Sequence, residues 1–439
     1  MTKKRPFGIL QVLDKIGWST LIIQHNRRTG GIKLKAGKEW DDSFDWSKYG
    51  KKEGLPRFKH LLNLDTKAIK KTLNRYKAGA HLNRVIKLIK AGKHEKVEFL
   101  REPQQNIGFI MCIHSTTLGP PAGGIRRHEP DEPELEVLRD VLNLSRAMSF
   151  KDAAAGLPNG GSKLGIVSSA PTSKTPDNYY GFLAYGIDRS GSFTGPDMGF
   201  TLEDANRIRN YTRNIVGGTA KTGSQGATGK TAAWGVRLAM KEACQSKYGN
   251  SSLKGRTIAI QGLGQLGSVL GSMLLSDGAR LIVADTSKTA LKSFLARSKP
   301  KHIRVVAPKK IAKQKCNIFA PCAVGGIIDR NTVSQLRCEM IAGGANNPLK
   351  ATSQQQELSL AEALYRKGIM FLPDWVVNAG GVIQGKEEHV YGSRFNLNRV
   401  RAKTKQACQI GTREILELSH KKGITPLRAT YQKYEKIIY

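Results

Sequence analysis

The chain has 439 residues, 39% of them hydrophobic, which is enough for two or three domains with ordinary cores. No run of 18 apolar residues occurs, so no transmembrane helix is predicted. The formal net charge of +36 would attract polyanions. However, the basic residues are spread along the chain and accompany no RNA-binding or zinc-finger pattern, so no specific nucleic-acid binding is predicted. A basic protein background or an adaptation to salt explains the charge equally well.

The cysteines and the N-terminus bear on redox state and location. None of the six cysteines forms a CxxC pair, so neither a zinc site nor a redox dithiol is indicated and no metal is predicted. Several lie in apolar stretches, which favours buried free thiols in a reducing cytoplasm. The N-terminus lacks the pattern of a secretory signal, and its acidic residues come early for a transit peptide. A cytoplasmic location is therefore predicted.

Residues 1–85 are predicted to be a basic N-terminal extension, separate from the rest and of unknown role. One helix is expected there, beginning at Asp65 or Thr66, with apolar residues at helical spacing. No catalytic pattern is present. The segment could be an accessory module, an interaction arm, or the product of a mis-assigned start.

The remaining chain alternates between helical and strand patterns. Residues 86–220 predict a helix, two strands, a long amphipathic helix, a short buried strand after a Gly160-Gly161 turn, a helix from about Asn178 to Asp188, and a loop holding Asp197. Residues 221–385 predict strand–helix–strand units whose strands end in Gly, Pro or Asn, as in parallel sheets. Residues 386–439 are helical again. The fold class is therefore predicted to be α/β.

A glycine-rich loop in this second part predicts a dinucleotide site. The sequence GLGQLG follows an apolar strand and opens a helix, and the next strand ends in Asp285, 18 residues after the last glycine. Its glycines permit a tight turn, close approach of a pyrophosphate and close packing of helix and strand. Asp285 would bind the ribose hydroxyls and repel a 2′-phosphate, so NAD is favoured over NADP, although Lys288 tempers that preference. The predicted contacts here are Gly262, Gly264, Gln265, Leu266, Gly267 and Asp285.

Two lysines stand in a distinctive context. Lys151 closes the segment LSRAMSFK, and Lys163 follows 12 residues later in DAAAGLPNGGSK. Six further segments accompany the two lysines. In their order along the chain they are IHSTTLGPPAGGIRR, GPDMG, GLGQLG, APCAVGG, AGGANNPL and PDWVVNAGGVI. Together these motifs resemble the glutamate/leucine/phenylalanine/valine dehydrogenase family over roughly residues 86–439, nearest to its leucine and phenylalanine branch.

The resemblance implies a substrate-binding and oligomerisation domain at 86–220 and a Rossmann-type NAD domain at 221–385, separated by a cleft. Residues 386–439 would be helices returning to the substrate domain. Lys163 would be the general base, Lys151 would bind the substrate carboxylate, and Asp197 would carry a proton to and from the amine nitrogen. The resemblance also places cofactor contacts at Thr228, Ala323, Asn346 and Asn378.

The same resemblance informs the choice of amino acid. Glutamate enzymes of the family carry a lysine where this chain has Ala122 and a serine where it has Gly385. The side-chain carboxylate of a glutamate substrate would therefore lack both partners here. The predicted substrate is an apolar L-amino acid, branched-chain or aromatic, with a preference for a large side chain. The segment SSAPTSK replaces the family's usual GDP and puts the local loop geometry in doubt. The predicted substrate contacts are Ala122, Gly123, Gly124, Met148, Lys151, Gly195, Val382 and Gly385.

The implied reaction is reversible oxidative deamination to a 2-oxo acid and ammonium, in a homo-oligomer that uses neither a metal nor a membrane. Two alternatives remain from the sequence. One is a glutamate dehydrogenase that meets the side-chain carboxylate with another of its many basic residues. The other is a nucleotide-sensing protein that binds polyanions through the basic N-terminal region.

Overall fold

A computed structural model of the protein describes residues 8–50, 64–219, 224–298 and 300–439. The chain divides into two compact units: Met1–Ser149 with Pro158–Gly226, and Phe150–Leu157 with Ala227–Tyr439. Each unit has its own β-sheet and its own helices, so the predicted α/β class is confirmed. Among the described residues, no helix is long and apolar enough to cross a membrane.

The described residues of the first unit form seven strands and six α-helices. In chain order these are α1 (Ile9–Ile16), β1 (Thr20–His25), β2 (Ile32–Gly37), α2 (Thr66–Arg75), α3 (Gly79–Ala91), β3 (Lys96–Glu102), β4 (Ile107–Ser115), β5 (Pro121–His128), α4 (Glu134–Ala154), β6 (Gly160–Val167), α5 (Asp177–Ser190), β7 (Phe193–Pro196) and α6 (Leu202–Arg209). The last turn of α4 belongs to the second unit. As predicted, α2 begins after Asp65, whose side chain accepts a hydrogen bond from Ala68 N.

The strands of the first unit form one mixed sheet in the order β2-β1-β3-β4-β6-β5-β7. Strands β2, β1, β3, β4 and β6 pair antiparallel, whereas β5 pairs parallel with both β6 and β7. Side chains alternate between the two faces. In β4, Ile110 and Cys112 enter the core beneath α1 to α4, and Phe109, Met111 and Ile113 enter the core beneath α5 and α6.

The first 85 residues are not a separate module. Strand β1 pairs with β3, so the N-terminal strands extend the central sheet. Helix α1 is held from the other side, because the Glu134 carboxylate accepts hydrogen bonds from Ile9 N at 2.7 Å and Leu10 N at 2.8 Å. The predicted boundary at residue 85 is therefore not a boundary of the fold. Residues 1–7, the beginning of the N-terminus that was assessed for a secretory signal, lie outside the described residues.

In the part of the second unit that the structure describes there are six strands and ten further α-helices. They are α7 (Gly229–Tyr248), β8 (Thr257–Gln261), α8 (Gln265–Ser276), β9 (Arg280–Ala284), α9 (Lys288–Ala296), β10 (Ile303–Val305), β11 (Cys316–Pro321), α10 (Arg330–Gln335), β12 (Cys338–Ile341), α11 (Gln354–Arg366), β13 (Met370–Phe371), α12 (Asp374–Val377), α13 (Gly380–Tyr391), α14 (Leu397–Thr404), α15 (Gly411–Lys422) and α16 (Pro426–Ile438). A π-helical segment, Lys405–Ile410, joins α14 to α15.

The sheet of the second unit is wholly parallel in the order β10-β9-β8-β11-β12-β13. The order runs outward in both directions from the first strand, β8, which is the doubly wound arrangement of Rossmann-type domains. Ligands of such sheets bind at the carboxyl ends of the strands, next to the point where the order reverses. That point lies after β8, where the glycine-rich loop begins.

The C-terminal helices belong to the second unit. Residues 386–439 group with the second unit, because α13, α14 and α15 pack on α7. Cys408 of the π-helical segment lies so close to Gly235 that a Cβ there would be 2.7 Å from its Sγ. Glu242 of α7 also accepts hydrogen bonds from Arg413 and Gln409. That residues 386–439 return to the predicted substrate domain stays a prediction.

All six cysteines are free. Five are buried, Cys322 is half-buried, and burial raises the pKa of each thiol. In the described part of the chain, no cluster of histidine, cysteine and carboxylate side chains could hold a metal ion. The cysteines are Cys112, Cys244, Cys316, Cys322, Cys338 and Cys408.

Candidate active site

Three parallel strands of the first unit bring several predicted residues together. Ala122 of β5 lies opposite Gly161 of β6 and Phe193 of β7. Gly124 lies opposite Gly195 of β7. Small residues on adjacent strands leave the sheet surface open, so longer side chains from neighbouring positions can lie across it.

An ion pair between a buried lysine and a half-buried carboxylate occupies this surface. Lys163, on β6, is 4% exposed, and its Nζ donates a hydrogen bond to Asp197 Oδ2. Asp197 follows β7 and is fixed by its backbone N–H, which donates to Ile125 O at 3.0 Å. A Cβ at Gly124 would be 2.9 Å from Lys163 Nζ and 3.3 Å from Asp197 Cβ. Glycine at this position therefore makes room for the pair.

Arg126 is a member of this cluster that the sequence analysis missed. Its Nη2 lies 3.4 Å from Asp197 Oδ2, and its Nη1 donates to both carboxylate oxygens of Asp140 at 2.9 and 3.0 Å. Because strand residues alternate between faces, Arg126 projects to the same side as Gly124, two residues earlier. That alternation was the signal that could have identified it.

The cluster changes the proton affinity of both central groups. Burial lowers the pKa of Lys163; the Asp197 carboxylate opposes this shift and the Arg126 cation adds to it. Burial would raise the pKa of Asp197, but the cations of Lys163 and Arg126 outweigh it and hold this pKa well below its usual range. The first unit thus holds a lysine that gives up its proton more readily than usual, beside an ionised carboxylate.

Apolar side chains lie beside the cluster. Ala122 is fully buried and forms a small cluster with Phe193 and Val216. A Cβ at Gly195 would be 3.0 Å from Val216 Cγ2, so this glycine borders the same cluster. Phe193 and Val216 were not predicted, because neither stands in a distinctive motif.

Two other predicted residues of the first unit have different positions. A Cβ at Gly123 would be 2.0 Å from Ser162 O, so glycine is needed there for the close approach of β5 and β6. Met148 is half-buried on α4. Neither makes a described contact with Lys163 or Asp197.

In the second unit, the glycine-rich loop has the geometry of a phosphate-binding turn. Gly262 has a φ of +93°, which favours glycine. A Cβ at Gly267 would be 2.0 Å from Gly262 O, whereas one at Gly264 would meet nothing within 4 Å. Helix α8 begins after Gly264, and no side chain caps its N-terminus. Its first backbone N–H groups are therefore available to an anion, which fits a dinucleotide pyrophosphate.

Asp285 lies directly after β9 and holds this loop in shape. Its carboxylate accepts hydrogen bonds from Leu263 N at 2.6 Å and Ser287 N at 2.7 Å. Each carboxylate oxygen keeps a further lone pair that can accept from a ribose hydroxyl. The position and chemistry of Asp285 thus fit the adenosine end of a dinucleotide.

A hydrogen-bonded group in the second unit contains Lys151. Lys151 Nζ donates to Asn346 Oδ1 at 2.8 Å, and Asn378 Nδ2 donates to the same oxygen at 3.0 Å. Asn378 Nδ2 also donates to Gly344 O at 3.1 Å, while its buried Oδ1 has no hydrogen-bond partner. A buried amide oxygen without a donor is costly, so it points to a bound group with an N–H donor, such as a nicotinamide carboxamide.

The other predicted residues of the second unit adjoin these two groups. A Cβ at Gly262 would be 2.8 Å from Ala323 Cβ, and one at Gly381 would be 3.4 Å from Thr228 Oγ1. Leu266 packs against Gly344, where a Cβ would be 2.3 Å from it. Val382 and Gly385 lie on α13, Val382 half-buried against a small apolar core and Gly385 buried.

Asp374 is a second residue that the sequence analysis did not single out. Its carboxylate accepts a hydrogen bond from Asn347 N at 3.0 Å. Burial raises its pKa to about 6, and the Lys151 cation opposes the shift. The residues beside these two charged groups, Phe150 and Trp375, stack with ring centroids 4.5 Å apart. This packing fixes the backbone that carries Lys151.

The chain was compared with known protein families. Residues 284–433 match the family model described as glutamate/leucine/phenylalanine/valine dehydrogenase. Residues 97–217 match the model described as the dimerisation domain of the same dehydrogenases. The chain belongs to the glutamate/leucine/phenylalanine/valine dehydrogenase family. It is an amino-acid dehydrogenase, an oxidoreductase acting on CH–NH2 donors, and the recognition made from its motifs is confirmed.

Individual relatives of this dehydrogenase agree. Phenylalanine dehydrogenase of Bacillus thermotolerans is 36% identical over 352 residues, 80% of this chain and 89% of the relative. Leucine dehydrogenase of Bacillus subtilis (strain 168) is 36% identical over 338 residues, 75% of this chain and 87% of the relative. The crystal structure of L-tryptophan dehydrogenase from Nostoc punctiforme has a TM-score of 0.63 and 30% identity, covering 80% of this chain and 98% of that one. Enzymes of the family are generally NAD(P)-dependent.

Proposed function

We propose that this dehydrogenase catalyses reversible, NAD-dependent oxidative deamination of an apolar L-amino acid with a large side chain, giving the 2-oxo acid and ammonium. The observation that carries the proposal is the Lys163–Asp197 pair with Arg126 beside it. A lysine of lowered pKa next to a carboxylate suits a reaction in which protons leave both an amine and a water molecule.

The protons of the reaction are assigned to this pair. Asp197 accepts a proton from the substrate ammonium, which frees the nitrogen lone pair for imine formation. Lys163, in its neutral form, then removes a proton from the water that attacks the imine carbon. Asp197 returns its proton to the nitrogen of the resulting carbinolamine. The C–N bond then breaks as the hydroxyl loses its proton, so that the carbonyl of the 2-oxo acid forms and ammonia leaves and takes up that proton as ammonium. Because the two groups share a hydrogen bond, the charge of each depends on the other and they titrate as a pair.

The substrate carboxylate and the cofactor are assigned to residues of the second unit. Lys151 supplies the cation for the carboxylate, held in place by its hydrogen bond to Asn346. The loop Gly262–Gly267 and Asp285 would hold NAD, and Asn378 would orient its nicotinamide amide. When bound, NAD supplies the hydride acceptor. The Asp285 carboxylate would repel a 2′-phosphate, which supports NAD over NADP.

The apolar side chain that we propose for the substrate is inferred from the apolar surroundings of Ala122. Ala122 is fully buried in an apolar cluster with Phe193 and Val216, so a glutamate carboxylate beside these side chains would be a buried charge in apolar surroundings. The relatives named for phenylalanine, leucine and tryptophan support an apolar substrate.

The test is a panel assay. The full chain is incubated at alkaline pH with each of the twenty L-amino acids and either NAD or NADP, and reduced cofactor is measured by absorbance. We expect the highest kcat/KM with NAD and a large apolar amino acid. Absence of turnover with every amino acid would contradict the proposed reaction, and turnover of glutamate alone would contradict the proposed pocket.

Replacing Arg126 with glutamine is expected to move the pH dependence of the oxidative reaction. Arg126 lowers the pKa of Lys163, so its removal raises that pKa. The base works in its neutral form, and each unit of pKa increase lowers the neutral fraction about tenfold below the pKa. The rising limb of kcat/KM against pH should therefore move to higher pH, with most of the activity recovered at alkaline pH.

The matched control is Arg126→Lys, which keeps a cation. In this variant the rising limb of kcat/KM against pH should stay nearer to its original position. Thermal unfolding of both variants separates this effect from loss of structure, since Arg126 also bonds Asp140. A profile that keeps its shape and merely falls in height for Arg126→Gln would contradict the role of Arg126 in tuning Lys163.

We also propose that the enzyme is a cytoplasmic homo-oligomer. The match of residues 97–217 to a dimerisation domain supports self-association. The six free cysteines support a reducing compartment. Sedimentation of the purified chain would give the oligomeric state.

A further inference from the structure

Helices α2 and α3 of the first unit carry a surface of a single charge. Nine of the chain's 71 basic residues and none of its 35 acidic residues lie between Thr66 and His94. Every one of the nine is exposed. We call this surface the cationic face; its members are Lys67, Lys70, Lys71, Arg75, Lys77, Arg84, Lys87, Lys90 and Lys93.

The cationic face exists because the opposite side of both helices is used for packing. The apolar residues of α2 and α3 recur at helical spacing and are buried in one core with strands β1 to β4. The basic residues occupy the remaining positions, three or four residues apart, and so lie next to one another on the outside. The apolar residues concerned are Ile69, Leu73, Leu82, Val85 and Ile89.

Eight of the nine charges of the cationic face have no carboxylate partner among the residues that the structure describes. Leaving Lys93 aside, no basic residue of this face lies within 4.0 Å of a carboxylate in the described part of the protein. Elsewhere, basic residues commonly have such partners, as Arg101 has Asp14 at 2.9 Å. Like charges at helical spacing repel each other, so an external polyanion would relieve a repulsion that the fold leaves in place.

The side chains of this face identify the kind of polyanion. None of the large hydrophobic residues that are exposed in the described structure lies between Thr66 and His94, so the face has nothing to insert into a bilayer. Tyr76 is partly buried against the core, which leaves no exposed aromatic ring there on which single-stranded bases could stack. What remains is recognition of regularly spaced phosphates by charge alone.

We propose that the cationic face binds the phosphate backbone of duplex nucleic acid without sequence preference. Helix α3, with 13 residues, is about 20 Å long. A duplex carries one negative charge per ~1.7 Å of its axis, so a segment of that length presents many phosphates to the face. The overall charge of +36 adds long-range attraction. This binding is independent of the dehydrogenase reaction.

The test compares two variants of the full chain that lose the same charge. One replaces Lys70, Lys71, Lys87 and Lys90 of the cationic face with glutamine. The control replaces four exposed residues of the second unit, Arg401, Lys403, Lys405 and Lys421, with glutamine. Fluorescence anisotropy measures binding to labelled 30-bp duplexes of DNA and of RNA, each in two unrelated sequences, between 50 and 200 mM KCl.

We expect the cationic-face variant to bind at least tenfold more weakly at 150 mM KCl, and the control less than threefold more weakly. Each phosphate contact contributes about −0.9 to the slope of log K against log salt, so the slope should become shallower by roughly 3 to 4 in the first variant alone. Binding of either duplex type supports the proposal. Equal losses in both variants, strong sequence preference, or tighter binding to vesicles containing phosphatidylserine than to duplex would overturn it.

A second measurement does not depend on the variants folding. In the unaltered chain, bound duplex should protect Lys70, Lys71, Lys87 and Lys90 from acetylation by a lysine reagent, as read by mass spectrometry, while Lys421 stays reactive. Equal protection of all five lysines, or of none, would overturn the proposal.

Discussion

Replacing Lys163 with alanine is expected to lower kcat for oxidative deamination by about 10²- to 10⁴-fold, the usual contribution of a general base. The variant loses the only amine that bonds Asp197 in the described structure. Asp197 then keeps Arg126 as a neighbouring cation, so the carboxylate stays ionised but water loses its proton acceptor. Affinity for NAD should change little, because the predicted cofactor contacts lie elsewhere in the chain.

Stopped-flow absorbance and NAD titration of the same preparation measure the two quantities separately. Lys174→Ala is the matched control, since Lys174 is an exposed lysine in the loop after β6 and should be replaceable without effect. Activity within tenfold of the unaltered enzyme in Lys163→Ala would show that another group removes the proton from water.

Replacing Gly267 with alanine is expected to weaken NAD binding roughly 10- to 100-fold. The new Cβ would lie 2.0 Å from Gly262 O, a backbone atom, so the turn itself must move. Overpacking of this kind costs about 1–3 kcal/mol. The displaced turn would no longer aim the free N–H groups of α8 at the pyrophosphate.

Calorimetric titration with NAD measures the loss. Ser272→Ala, on the exposed side of the same helix, removes only a hydrogen bond to Ser268 O at 3.1 Å and should bind NAD normally. Normal affinity in Gly267→Ala would mean that the loop does not form the pyrophosphate site.

What the sequence could predict was largely local. The loop Gly262–Gly267 was identified because strand, turn and helix follow one another within a short segment. The helix after Asp65 was identified because its capping residue directly precedes its first turn. The family was recognised because many short motifs recur in order. Arg126 escaped notice because its partners, Asp140 and Asp197, come from a different helix and a different strand.

The error over the boundary at residue 85 concerned a partner distant in sequence. Strand β1 pairs with β3 across an intervening hairpin strand and two helices, and nothing in Leu21 or Ile23 names that partner. The C-terminal helices present ordinary amphipathic patterns, which predict a buried side but not the surface that covers it. The fit between Gly235 and Cys408 and the hydrogen bonds of Glu242 to Arg413 and Gln409 show that α7 is part of that surface.

The buried cysteines have a practical consequence for spectroscopic work. Burial encloses five of the six thiols, and a raised pKa keeps all six, including half-buried Cys322, protonated at neutral pH, whereas alkylating reagents need an accessible thiolate. A single cysteine introduced on the outer side of α2 could therefore take a fluorophore or spin probe selectively, with the native thiols left in place. Attached there, the probe would report directly on duplex contact during turnover.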